Sequence, residues 1–432
     1  MTKRPNVLII QPDQHRGDVM GCAGDRQAQT PNLDRLASQG IRFTHAASSS
    51  PVCSPFRGTM QTGLYPHTHG VSRNNIRLDQ DLTGIAEVFA AAGYATGYCG
   101  KWHLDGGIPE GGTGGHIPPD RRFGWQEWHA IEKGHSFFNV WTYDDDGNKV
   151  HHEDYDWEPT WHSDLALDFV NRHRDEPWVF YLGYGPPHKP EECPQEFLDR
   201  YPADAFELPP DLVGRFSADG ERELRRVLQM YYGQVTAVDE EVGRVMQGLD
   251  ELGLADDPIV IYVSDHGDHL GSHCEEGQSL RGKGSPYASS FRIPLMIRWP
   301  GQIDHQVCDA LVSSVDLAPT ILDLAGLDVP EAMQGSSMAG WCLRGDGPRS
   351  DVVYLGLGND SRGWRAVWDR RWMYAPMLYE ALYDHHVDPY EMNNRYDDQD
   401  CADVRARLAN ELNKMAVETE DPLAEDVRAA CE

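Results

Sequence analysis

The chain has 432 residues, 40% hydrophobic and 25% charged, enough to bury one large core or two unequal ones. Its formal charge of −31, from 38 basic and 69 acidic side chains, opposes any general affinity for nucleic acid or anionic membrane surfaces. No apolar run reaches membrane-spanning length, and Met1–Pro5 leads directly into the apolar Asn6–Ile10; the expectation is a cytoplasmic protein with no membrane partner. Nine cysteines, an odd number with no C-x-x-C pair, predict reduced thiols rather than a disulfide framework or zinc ribbon.

In chain order, short apolar runs at Val7–Ile10, Ala95–Cys99, Trp178–Gly183, Ile259–Ser264 and Pro294–Arg298 predict strands. They alternate with Leu33–Gln39, Leu82–Ala92, His162–Arg174 and Glu223–Leu252, whose apolar spacing is helical. Alternation of this kind predicts an α/β fold, a mostly parallel central sheet covered by helices on both faces. Pro31 with Gly40, and Gly93 after Leu82–Ala92, punctuate two of the helices.

Residues 105–160 break this pattern with Gly, Trp, His and Asp, and read as an elaborated insertion over one face of the sheet. Its Asp144-Asp145-Asp146-Gly147-Asn148 lacks the glycine position and closing acid of an EF-hand loop and predicts a hairpin turn instead. Beyond residue 345, Val352–Leu357, Trp364–Trp368, Arg371–Tyr374 and Leu382–Tyr383 predict a small antiparallel sheet, followed by an acidic helix over Ala402–Ala416. The expected division is a main domain over 1–345 and a C-terminal subdomain over 346–432.

In an open parallel sheet, ligands bind beyond the carboxyl ends of the strands. Polar residues follow four predicted strands there: Asp13-Gln14, Lys101-Trp102-His103, His188-Lys189 and Asp265-His266. Lys283, flanked by glycines in Arg281-Gly282-Lys283-Gly284, is a fifth candidate. The sharpest feature is Cys53-Ser54-Pro55-Phe56-Arg57, with Gly63 closing the segment. Proline near the start and glycine at the end predict a short helix with Cys53 at its N-terminal end, where a thiol is acidified. A buried capping cysteine carries equal weight on local sequence alone. His15, His67 and His69 are assigned to packing or to supporting neighbouring site residues rather than to direct chemistry; the tryptophans Trp125, Trp128, Trp141, Trp157 and Trp161 could stack on a sugar or aryl group, but their density reads as a local core. Nothing local decides Asn74 and Asn75.

Cys53 to Arg57 resembles the C-x-P-x-R signature of the type I sulfatases, in which the cysteine is oxidised to formylglycine. The resemblance extends in order through Thr30–Leu36, Thr62–His67, Gly100–His103, Gly185–Pro190, Ser264–Gly267, Pro294–Gly301, Leu382–Asp384 and Asp388–Asn394, covering roughly residues 5 to 395. It implies an alkaline-phosphatase-like fold with a sulfatase catalytic domain over 1–345. It also implies one divalent cation, Ca2+ first with Mn2+ or Mg2+ as rivals, and hydrolysis of a sulfate monoester of a small sugar or aryl alcohol.

On that resemblance Asp13, Gln14, Asp265, His266 and the oxidised Cys53 hold the metal, all but one through oxygen, as a hard cation requires. Arg57, Lys101 and Lys283 neutralise oxygen charge, and Arg57 and Lys101 also orient the aldehyde hydrate. One hydroxyl of the hydrate attacks sulfur. His188 or Lys283 is the acid for the leaving alcohol, and His103 the base that removes the second hydroxyl's proton so that sulfate is expelled. The implied partners are a small sulfated substrate and, during maturation, a formylglycine-generating enzyme; self-association into a homo-oligomer is left open.

Two departures matter. Phe56 stands where the signature often has Ser. Gln14 and His266 replace the commoner Asp and Asn, so the metal motif looks like that of choline sulfatases and phosphonate monoester hydrolases, whereas Lys101-Trp102-His103 looks like the sulfatase form. A phosphonate or phosphate monoester hydrolase is therefore the alternative, and an unmodified, catalytically silent binding protein the second alternative.

Overall fold

The computed structural model describes residues 4–107, 115–134 and 136–432. The chain forms a mixed α/β body. Eight strands, β1 (Asn6–Asp13), β2 (Ile41–Ala47), β3 (Ala95–Lys101), β4 (Glu127–Ile131), β7 (Trp178–Pro187), β8 (Pro258–Val263), β9 (Leu295–Arg298) and β10 (Gln306–Ser313), make one sheet, with β5 (Trp141–Tyr143) and β6 (Lys149–His151) as a separate hairpin. Across the sheet the order is β10-β2-β9-β8-β1-β7-β3-β4. Every strand runs the same way except β9, which is antiparallel to β2 and β8.

β1 shows why such a sheet needs covering on both sides. All eight of its residues are buried, and successive side chains point to opposite faces. Val7 and Ile9 pack with Phe89 and Ile321 on one side; Leu8 and Ile10 pack with Leu36, Phe169 and Val242 on the other. The second layer is built largely by the helices Pro31–Ser38, Glu158–Arg172 and Ala218–Glu251. The last of these has 34 residues, and Ser217 caps it by accepting the Gly220 N–H at 3.2 Å.

Three strands escape the sequence reading. β4 and β10 are the two edges and β2 lies next to one, so they alternate buried with partly exposed residues rather than forming continuous apolar runs. β4 belongs to the segment expected to lie outside the sheet; it pairs parallel with β3 instead. Residues 108–114 and 135 of that segment lie outside the described residues. Asp144–Asn148 closes the β5–β6 hairpin, Asn148 donating to Asp144 Oδ1 at 2.7 Å. Trp125, Trp128 and Tyr98 pack with Trp102 in the main core.

Beyond the main sheet, β11 (Val353–Leu357), β12 (Trp364–Trp368), β13 (Trp372–Ala375) and β14 (Ala381–Asp384) form an antiparallel four-stranded sheet. Leu408, Leu412 and Val427, from the helices Ala402–Glu418 and Ala424–Cys431, cover one face. The other face, with Val353, Leu355, Trp364 and Trp368, packs on Ala47, Phe291 and Leu311 of the main body. Trp364 Nε1 also donates to the Gly284 carbonyl at 3.1 Å, beside Lys283. Among the described residues no helix is long and apolar enough to cross a membrane.

Candidate active site

The carboxyl ends of β1, β3, β7 and β8 collect the candidate residues. Asp13 ends β1, in register with Pro187 on β7 after an irregularity at Pro12/Asp13. The chain then turns sharply, with Gln14 at φ 71°. That left-handed conformation is uncommon for a residue with a side chain, and two hydrogen bonds hold it. Gln14 N donates to Asp265 Oδ1 at 2.9 Å, and Gln14 O accepts from Tyr231 Oη at 2.8 Å.

Cys53 is the first residue of the helix Cys53–Thr62, every residue of which is buried. Gly63, at φ 67°, ends it by donating to the Thr59 carbonyl. Asn74 Oδ1 takes the Ser54 N–H at 3.0 Å, one of the amides a helix start leaves unpaired. Gly58 lets His69 pack flat on the helix, since a Cβ there would lie 2.6 Å from the imidazole.

Around the Cys53 sulfur stand Lys283 Nζ at 3.2 Å, His266 Nε2 at 3.2 Å and Asp13 Oδ1 at 3.8 Å. Lys101 Nζ donates to Asp13 Oδ2 at 2.8 Å, and Arg57 Nη2 lies 3.4 Å from the same oxygen and 3.7 Å from Asp265 Oδ2. Arg57 also donates to the Lys101 carbonyl, tying the helix to the end of β3. Three cations thus face two buried carboxylates. Burial and Asp13 push the Cys53 thiol up, but Lys101, Lys283 and His266 outweigh them and hold it well below the ordinary thiol range. The protein stabilises an anion at this position.

The donor set fits a divalent cation. One ligand atom each from Asp13, Cys53, Asp265 and His266 lies within 4.8 Å of the others, and all four residues are buried. Asp265 Oδ2 is buried with no hydrogen-bond partner, a costly state for a carboxylate oxygen that a cation would relieve. Burial and then Asp13 push the Asp265 carboxyl up, as expected for two acids sharing one buried site. His266 Nδ1 lies 3.0 Å from the Gly267 carbonyl, which fixes the ring and aims Nε2 into the site, where its lone pair would be offered to a bound cation. Gln14 Oε1 accepts from Lys283 at 3.0 Å on the same side.

His103, at φ 59°, puts Nε2 at 3.4 Å from Asn75 Oδ1, while its Nδ1 is buried without a partner. Burial lowers its pKa to about 4, against the opposing hydrogen bond to Cys53. The imidazole is therefore neutral near pH 7 and able to accept a proton. His188 lies just past Pro187, half-buried, with Nδ1 at 2.7 Å from the Lys189 carbonyl. Nine of the ten candidates therefore share one cluster of contacts, and His188 is placed at its rim with its ring turned to its own loop.

His15, His67 and His69 are structural. They bind Tyr262 and Val19, Asp421 and Thr419, and Thr59 and Val71 respectively. Sequence reasoning missed Asp268, Arg281, Tyr231 and Glu158. Glu158 is buried, and burial followed by Asp13 pushes its carboxyl up to about 8. Asp268 could have been suspected, since it lies two residues beyond His266. Tyr231 and Arg281 reach the site through Gln14 and Pro187, contacts distant in sequence.

Comparison with known proteins identifies the family. A sequence model of the sulfatase family matches residues 5–327. An ulvan-active sulfatase of Formosa agariphila is 31% identical over 433 residues, covering 97% of this chain and 82% of the relative. Among solved structures, BT4656 in complex with D-glucosamine-2-N,6-O-disulfate superposes with a TM-score of 0.82 at 22% identity, covering 97% of this chain and 99% of that one. The phosphonate monoester hydrolase of Agrobacterium radiobacter superposes with a TM-score of 0.80 at 23% identity, covering 96% of each chain. With the family match spanning most of its length and its cysteine, cations and carboxylates gathered at the carboxyl ends of the central strands, the chain belongs to the sulfatase family, enzymes that hydrolyse sulfuric esters.

Proposed function

We propose that the protein hydrolyses the sulfate monoester of a small organic alcohol, a sugar or aryl sulfate, using formylglycine made from Cys53 and one divalent cation. The observation that carries this reading is the charge around Cys53: Lys283 at 3.2 Å, with Lys101 and Arg57 braced on Asp13. Asp13, Gln14, Asp265 and His266 would hold the cation, Ca2+ first and Mn2+ as its rival. The bound cation would withdraw charge from the sulfate oxygens, and the hydrated aldehyde would supply the nucleophilic hydroxyl.

The chain's own side chains carry the remaining roles. Arg57 and Lys101 orient the group at position 53 through their shared hold on Asp13 and the Lys101 carbonyl. Lys283 neutralises a sulfate oxygen and is the better-placed acid for the departing alcohol, with His188 the second candidate. His103, kept neutral by burial, takes the proton whose removal releases sulfate.

A sugar substrate draws support from the disulfated glucosamine bound by BT4656. At −31 the protein repels long polyanions at low salt, which favours short sulfated substrates. The second reading, a phosphonate or phosphate monoester hydrolase, is favoured by the Gln14–His266 pair and by likeness to the Agrobacterium enzyme; Lys101 and His103 favour sulfate. The ratio of kcat/KM on para-nitrophenyl sulfate and a matched para-nitrophenyl phosphonate decides between them. A ratio above one supports the sulfatase reading, and a ratio well below one replaces it. The third reading, a silent binding protein, predicts turnover of neither ester.

A further inference from the structure

We infer that Asp268 is a positioning residue that clamps the Gln14 side-chain amide so that its oxygen, not its nitrogen, faces the proposed cation. This inference rests on the cation site proposed above. Gln14 Nε2 donates to Asp268 Oδ2 at 2.6 Å, a short, charge-assisted bond between fully buried groups. A carboxylate accepts only, so the amide nitrogen must face it. The oxygen is left on the side of Lys283, which donates to it at 3.0 Å.

Asp268 is itself fixed. Arg281 Nε donates to the same Oδ2, and the Leu270 and Gly282 amides donate to Oδ1 at 3.1 and 3.2 Å. Arg281 in turn donates to the Pro187 carbonyl at 2.7 Å and stacks over Tyr231 at 4.7 Å. Tyr231 closes the loop by donating to the Gln14 carbonyl. The backbone and the amide of one residue are thus held by a single buried network.

The clamp explains why position 14 is glutamine. A carboxylate there would face Asp268 across a 2.6 Å contact with two acceptors and no donor between them. The negative charge absent from position 14 stands one contact further out, neutralised by Arg281. Asp268 and residue 14 should therefore be coupled, with the sign of the Asp268 effect set by the side chain at 14.

The test titrates Ca2+ and Mn2+ into the purified apo-protein, reading affinity from metal-induced thermal shift and calorimetry. Asp268→Asn should weaken binding in the native background by roughly 10- to 100-fold, as for other groups that orient a ligand. In the Gln14→Glu background the same substitution should strengthen it, because an asparagine amide at position 268 can donate to a carboxylate at position 14. Asp268→Asn acting in the same direction in both backgrounds, or having no effect in either, overturns the clamp. Should a variant fail to fold, anomalous scattering from Mn2+-soaked crystals of the native protein decides. Gln14 Oε1 in the coordination sphere supports the clamp, and a Mn2+ sphere without Gln14 overturns it. Failure of the native protein to bind either metal would instead defeat the proposed cation site itself.

Discussion

Replacing Lys283 by Ala separates its two assigned roles. Its ammonium lies 3.2 Å from the Cys53 sulfur and 3.0 Å from Gln14 Oε1. Two unit charges about 4 Å apart interact by about 4 kcal/mol at an effective dielectric of about 20. Lys283 is half-buried, so water screens part of that, and loss of one oriented donor costs roughly 10²–10³ in kcat. As an acid, Lys283 should matter little to a good leaving group such as para-nitrophenolate and much more to a sugar alkoxide, where proton transfer contributes roughly 10²–10⁴. The assay is kcat/KM for Lys283→Ala and His188→Ala on para-nitrophenyl sulfate and on a sugar sulfate. Lys283→Ala should lose far more on the sugar sulfate, while His188→Ala loses similar, smaller amounts on both. An equal loss on both substrates for Lys283→Ala, with a steep difference for His188→Ala, would refute the assignment and make His188 the acid.

Lys101→Met should destabilise the fold by about 3 kcal/mol, the low end of the range for breaking a buried ion pair, because Arg57 remains 3.4 Å from Asp13; unchanged urea denaturation would contradict it. Gly100→Ala should lower both stability and activity, since a Cβ at that residue, at φ 101°, would lie 2.5 Å from the Gly183 carbonyl oxygen; strain of this kind costs about 1–3 kcal/mol, read from the shift in Tm. The acid limb of kcat/KM should follow His103, whose neutral form is lost as pH falls through about 4. In His103→Ala the remaining activity should lack that limb, and an unaltered profile would remove His103 from the base role. Asp265→Asn should abolish any rise in Tm on adding Ca2+, which for native protein at about 100 times Kd corresponds to about 2.7 kcal/mol.

The central strands and long helices were legible in the sequence because burial on both faces leaves continuous apolar runs, as in Pro258–Val263. β2, β4 and β10 were not, because strands at or near an edge mix polar with apolar residues. The direction of β9 was not readable either, since a four-residue apolar run carries no mark of its orientation. At the site, residues that follow strands or carry a motif could be picked out: Asp13, Cys53, Lys101, Asp265. The supports could not. Asp268 clamps a residue 254 positions away and Tyr231 one 217 positions away, and no local spacing encodes such a contact. Asn74 and Asn75 fall between these cases, since their type suggested a polar role and only the fold showed them against Ser54 and His103.

The side chain at position 53 decides the chemistry. Protein co-produced with a formylglycine-generating enzyme should yield a peptide spanning Ser49–Arg57 in which mass spectrometry finds the aldehyde in place of the Cys53 thiol. Turnover of para-nitrophenyl sulfate across preparations should rise in proportion to the aldehyde fraction. Full activity in protein whose Cys53 is wholly thiol, or none in protein that is wholly converted and metal-loaded, would contradict it.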